Sequence, residues 1–255
     1  MQADESLNAA APIRERPAPI ASWIHFAGFL AIMAAICALG FYAQHAGSGN
    51  GAGNAGGGQL ASHGYAIQIY LTALFMDWAL LYFCWVGVHR RGGNLWALSG
   101  GRWKSGRDVL TDLAVVLPFW IVWEGAAYGV HWLLGLLGSG SAKSVDSLLP
   151  KSLVEVFVWI ATSITAGICE EIAFRGYLLR QFHALTGGVA WAVLAQALVF
   201  GIAHSYQGWR AVTVISVLGV LYGALAVWRR NLRANIVAHA WSDIWEGWLK
   251  FLIFR

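Results

Sequence analysis

In a chain of 255 residues, 58% hydrophobic residues, 15 tryptophans, only 12% charged residues and a mean hydropathy of +0.57 exclude a water-soluble globular domain. The net charge of +4 calls for no nucleic acid partner, because the basic residues are spread over loops beside apolar segments, where an anionic lipid leaflet attracts them. Cys37, Cys84 and Cys169 all fall inside apolar segments without a C-x-x-C pair, which argues against a disulfide framework or a zinc ribbon.

In chain order, apolar stretches at 22–44, 68–88, 109–138, 152–183, 187–206, 211–228 and 234–254 predict spanning helices, for which a crossing requires roughly 20 residues. The clearest are 22–44, 68–88, 211–228 and 234–254. The long stretches 109–138, dotted with Asp112, Glu124 and His131, and 152–183 have room to break, so about seven to eight helices are expected. Lipid offers backbone groups no partner, so the fold class is all-α, a polytopic transmembrane bundle. Residues 1–21 read as a cytoplasmic tail and 22–255 as one transmembrane domain. The first apolar run is too long for a cleaved signal peptide and no A-x-A site closes it.

Between the helices, HAGSGNGAGNAGGGQLASHG (45–64) is an uncharged, flexible linker expected on the outer side. Arg14 and Arg16 before the first helix, Arg90, Arg91, Arg102, Lys104 and Arg107 after the second, and Arg229, Arg230 and Arg233 after the sixth outnumber the basic residues of the alternate loops. By the positive-inside rule the N-terminus is cytoplasmic. The Gly- and Ala-rich composition points to a bacterial cell membrane.

The stretch ICEEIAFRGYL (168–178) places Glu170, Glu171 and Arg175 within an apolar segment, where ionisable groups are costly and mark functional sites by default. Glu171 and Arg175 suit an i,i+4 ion pair with the carboxylate on the favourable N-terminal side. Glu170 points about 100° away, so its partner must come from another helix. Two segments offer candidates: FGIAHSY puts His204 on the face of Phe200, and NIVAHAWSDIW puts His239 and Asp243 at i and i+4. His25, His45, His63, His89 and His183, near helix ends, read as interfacial residues. At 1.5 Å per residue, Glu170, about 16 residues before the turn at 186–188, and His204, about 17 after it, return to one level; His239 comes out somewhat shallower.

E-E-x-x-x-R, F-x-x-x-H and H-x-x-x-D, in that order and with intervals of 34 and 35 residues from Glu170 to His204 to His239, resemble the signature of the CPBP family of intramembrane proteases. That family includes the type II CAAX prenyl endopeptidases and bacterial proteins linked to bacteriocin self-immunity. The resemblance covers about residues 150–255; the first 110 match only as generic membrane helices. It implies an endopeptidase acting on a membrane-associated protein or peptide without a covalent enzyme intermediate. Glu170 and His204 would hold and deprotonate a water. His239 and Asp243 would face the oxyanion. Glu171 and Arg175, with Phe200 in support, would orient the site or hold a substrate carboxylate. Asp243 stands where the better understood members use Asn, and an ionised aspartate donates no hydrogen bond; it is protonated, orients His239, or helps bind a metal.

No cofactor is favoured. The mechanistic alternative is a zinc-type ion on Glu170, His204 and His239, although H-E-x-x-H is absent. Alternatives of another class are a transporter with a proton-coupled carboxylate, for which paired half-repeats are missing, and a scaffold or immunity-type protein that sequesters a partner.

Overall fold

Wherever the chain runs apolar its backbone closes hydrogen bonds within its own segment, so the described residues are helical and contain no strand. A computed structural model describes residues 17–46, 63–138 and 149–253. Most of the N-terminal tail and of the glycine-rich linker lies outside the described residues. The long helices are α1 (Trp23–Ala46), α2 (His63–His89), α3 (Gly106–Leu136), α4 (Leu153–Thr186), α5 (Val189–Ala203), α6 (Trp209–Arg229) and α7 (Arg233–Ile253). Neither long segment breaks in two. α3 runs through Pro118, and α4 is continuous with a widened stretch in its middle.

Five of these helices, α1 to α4 and α6, are long and apolar enough to cross a membrane. α5, with 15 residues, extends about 22 Å and falls short of a hydrocarbon core of about 30 Å. α7, expected among the clearest spans, also departs from that expectation: Arg233, Asp243 and Glu246 make it too polar, and all three face protein or cavity rather than lipid.

Local signals start the two longest helices. Ser105 with Asp108 opens α3 and Ser152 with Glu155 opens α4, each as a reciprocal capping box that satisfies free backbone N–H groups. α4 is the central element, packed against α2 on one side and α7 on the other; α5 pairs with α6, α3 lies along α6 and α7, and α1 touches α5. Glycine sets the crossing of α4 and α7. A Cβ at Gly167 would lie 2.9 Å from both the Ile236 carbonyl and the Ala240 amide nitrogen, so only the missing side chain lets α7 approach α4 here.

Polar pins hold the bundle outside the motif. Buried Asp112 accepts from Arg229 at 2.8 Å, Arg233 at 2.9 Å and the Trp103 indole at 2.8 Å, tying the start of α3 to the α6–α7 junction. Buried Gln181 caps the approach to α1 by accepting from the amides of Ile20 and Ala21. His25 is not a plain interfacial residue. Its Nε2 faces the Phe83 carbonyl at 3.0 Å, which only accepts, so Nε2 carries the proton and Nδ1 accepts from the Tyr177 hydroxyl at 2.8 Å. Its ring lies on Gly87, where a side chain would displace it.

Asp112→Ala leaves two guanidinium groups without their carboxylate. We expect it to cost about 1–3 kcal/mol, read as a lowered midpoint of thermal unfolding in detergent. Gly167→Ala should cost a similar amount, about 1–3 kcal/mol, because backbone rather than a flexible side chain blocks the added methyl.

Candidate active site

The motif lies where α4 changes its winding. From Glu171 to Leu178 the helix is π-helical, with the Leu179 amide donating to the Phe174 carbonyl five residues back. Such widened turns are rare and frequent at functional sites. All eight residues of the stretch are buried, and Ile172, Ala173, Phe174, Tyr177 and Leu178 belong to a cluster that includes Phe29, Cys84, Cys169 and Phe200.

Glu171 is 0% exposed and fully engaged. Its Oε1 accepts from Arg175 Nη1 at 2.8 Å and from His239 Nδ1 at 2.8 Å; its Oε2 accepts from Asn235 Nδ2 at 3.2 Å. Asn235 also donates to the Tyr222 carbonyl at 2.8 Å, which fixes its amide. Arg175 Nε and Nη2 make no hydrogen bond. Aromatic faces replace it: the guanidinium carbon lies 4.2 Å from the centre of the Phe200 ring and 5.1 Å from that of Tyr222. Phe200 is therefore a wall for the arginine as well as a neighbour of His204, whose ring centre is 4.9 Å away.

Glu170, one residue earlier, faces a cavity of about 720 Å³ lined by residues of α2, α4, α6 and α7 and of the α5–α6 connection. His239 bridges the two glutamates. With Nδ1 on Glu171, its Nε2 lies 3.8 Å from Glu170 Oε2 and 3.7 Å from Asp243 Oδ2. Asp243 is placed through its backbone, whose carbonyl accepts from the Trp159 indole at 2.7 Å. His204, at the end of α5, lines the same cavity; its Nδ1 is 2.8 Å from the Phe200 carbonyl, so that nitrogen carries the proton and Nε2 has a free lone pair. Among the described residues no hydrogen bond joins His204 to Glu170, and the histidine nearest Glu170 is His239.

The structure thus brings Glu170, His204, His239 and Asp243 to one cavity and puts Glu171 and Arg175 behind them. Two further residues were not singled out from sequence. Asn235 completes the shell of Glu171. Asp77, on α2, lines the cavity close enough for its charge to act on Glu170, His239 and Asp243. A lone carboxylate in the otherwise apolar stretch 68–88 was its visible signal. Among the described residues no three His, Cys, Asp or Glu side chains are grouped as metal ligands.

Glu171→Gln removes the counter-charge of a buried arginine. We expect a loss of about 3–5 kcal/mol, seen as low folded yield from membranes. The Glu171→Leu/Arg175→Leu pair removes both charges, so its yield should recover, while His239 loses its anchor. An active double variant would show that Glu171 does not orient His239.

Residues 152–245 match the family model described as type II CAAX prenyl endopeptidase Rce1-like, and every motif position from Glu170 to Asp243 falls within the match. No curated protein and no solved structure matches the chain. At the level of the family, this match supports a membrane protease. Over residues 152–245, which hold the Glu170–Glu171–Arg175 turn and both candidate histidines, the chain is similar to the Rce1-like type II CAAX prenyl endopeptidases.

Proposed function

We propose that the protein is an intramembrane endopeptidase that cleaves a membrane-associated protein or peptide with a water activated by Glu170. The observation that carries this reading is the meeting of Glu170, His204, His239 and Asp243 on one cavity, inside the segment that matches the family. Glu170 Oε2 is buried beside that cavity and has no hydrogen-bond partner, which leaves it open to accept a proton from water. His204 Nε2, with its lone pair free, accepts the water's other hydrogen and aims its oxygen. The oxygen attacks the carbonyl carbon, and the negative charge on the former carbonyl oxygen meets the Nε2 proton of His239. The proton held by Glu170 passes to the leaving amine, which yields a carboxyl terminus and a free amine.

Glu171 acts through His239: by accepting from Nδ1 it fixes the ring so that Nε2 points into the cavity. Asp243, 3.7 Å from that Nε2, stabilises its protonated form. The distribution of arginine and lysine supports a cytoplasmic N-terminus, and the Gly- and Ala-rich composition supports a bacterial cell membrane.

Glu170→Gln keeps the size of the side chain and removes the base. Cleavage should fall by roughly 10²- to 10⁴-fold while the thermal unfolding midpoint stays within reach of the wild type. Near-normal cleavage by this variant would overturn the mechanism. Asp243→Asn separates the metal-free route from the alternative in which Glu170, His204 and His239 hold a zinc-type ion. An active variant without bound metal supports the route above. Stoichiometric metal in the wild type that is lost together with activity in the variant, and restored by excess metal, supports the ion.

A further inference from the structure

The cavity extends from the motif toward one end of the bundle. Above Glu170, its walls come from the first half of α2 (Gln68 to Asp77), the first half of α4 (from Trp159), the first half of α6 (Ile215, Leu218) and the later part of α7 (Asp243, Glu246). Tyr206 and Gln207 of the α5–α6 connection line it as well. All of these stretches belong to the end of the helices that carries the α5–α6 connection. Gln68, Tyr206 and Glu246 are exposed, so the cavity rises to a polar rim. Glu246 stands seven residues beyond His239, which puts this rim about 10 Å above the imidazole along α7.

The opposite end is filled. Behind Glu170 lies the buried Glu171–Arg175 pair, and a buried apolar cluster runs from Cys169 and Phe200 beside the site to Val88, Leu95, Leu98 and Leu232. The loop before α3 is fastened over that end: the Leu232 amide donates to the Ser99 carbonyl at 2.9 Å, and Asp112 clamps Arg229 and Arg233. Arg233 is only six residues from His239, about 9 Å along α7, so the nearer surface is the closed one.

Charge tells the two ends apart. The closed end carries Arg90, Arg91, Arg102, Lys104 and Arg107 between α2 and α3 or at the start of α3, Arg180 late in α4, and Arg229, Arg230 and Arg233 at the α6–α7 junction. Among the described residues the cavity end has Lys151, Arg210 and Lys250. The positive-inside rule places the closed end in the cytoplasm and the cavity end outside. Exposed Trp96, Trp103 and Trp228 at the first and Trp132, Trp209 and Trp248 at the second mark the two interfaces. Tyr206 of the rim, three residues before Trp209, therefore lies at the level of the outer headgroups.

We infer that the cavity is entered from the extracytoplasmic face, and that its substrate is a juxtamembrane segment at the outer headgroup level, part of a polypeptide that has crossed the membrane and remains beside it. Cleavage of that segment rests on the proposed peptidase reading; the side of entry rests on the cavity, the filled end and the charge.

The experiment places single cysteines in the full-length protein and labels them with a membrane-impermeant sulfonated maleimide, in bacterial spheroplasts and in inverted membrane vesicles. Cys84 and Cys169 are buried and stay; Cys37→Ser removes the third thiol. Gln68→Cys and Gln207→Cys, two independent rim positions, should gain label in spheroplasts and lose it in inverted vesicles. Arg102→Cys and Lys104→Cys should show the reverse. Rim cysteines labelled only in inverted vesicles, or from neither face, overturn the inference. A second arm compares membrane proteomes of cells with the wild type and with Glu170→Gln. Fragments released only by the wild type should end in extracytoplasmic juxtamembrane stretches; ends in cytoplasmic stretches overturn the inference and keep the peptidase. Outward labelling of the rim with no such fragment sustains the side of entry and removes the peptidase reading.

Discussion

The carboxylate of Glu171, sealed from water inside a helical bundle, is the group on which the rest of the site depends. A bare carboxylate there would be untenable, and the chain meets its cost with three donors from two helices: Arg175 on α4, and Asn235 and His239 on α7. The Arg175 pair alone would leave Oε2 exposed to an apolar wall. Asn235 fills that gap and is itself held by the Tyr222 carbonyl, so α6 enters the network as well. Each donor is fixed by a second contact, and such a network is stiffer than its pairs taken singly.

Rigidity in this network becomes geometry at the cavity. His239 uses one nitrogen to satisfy Glu171 and thereby turns the other toward Glu170 and Asp243. Adjacent glutamates divide the labour because successive helical residues diverge by about 100°: one faces the buried arginine, the other the open volume. Gly167, one turn before Glu170, removes the side chain that would hold α7 away, and the π-helical stretch that follows lets α4 keep Glu171 and Arg175 in contact while it re-aims the residues after them. Sequence, close approach and imidazole orientation thus form one causal chain.

The parts of this arrangement that were legible in sequence are those encoded locally. Apolar length announced the helices, and the i,i+4 spacing announced the Glu171–Arg175 pair, which forms at 2.8 Å. The spacing of Phe200 and His204 likewise put both on one face of α5. What escaped depends on partners distant in the chain. His25 resembled a stray histidine at a helix end, but its partners are Phe83 and Tyr177, 58 and 152 positions away. Asn235 carries no pattern at all until α7 lies against α4. Asp77 was hidden by the apolarity around it, since a window average dilutes one carboxylate. α7 was misjudged for the converse reason: its apolar residues suggested a lipid-facing span, and its charged ones gain their meaning only from the cavity and the Asp112 clamp they face.

Charge in this bundle falls into two kinds, and the difference separates holding the fold from acting on a ligand. Asp112 with Arg229 and Arg233, and Glu171 with Arg175, are matched sets in which each carboxylate meets its cations within 2.9 Å. Their electrostatics are closed within the chain, so a visiting molecule gains little from them. Around Glu170 the balance is left open: carboxylates from α2, α4 and α7 share one histidine at the edge of interaction distance, and the nearest arginine has been turned to the other side of Phe200. An apolar environment makes that imbalance costly for the free protein. A water or substrate group that enters here meets Glu170 Oε2, which makes no hydrogen bond within the described residues, whereas at the matched sets both carboxylate oxygens are already taken.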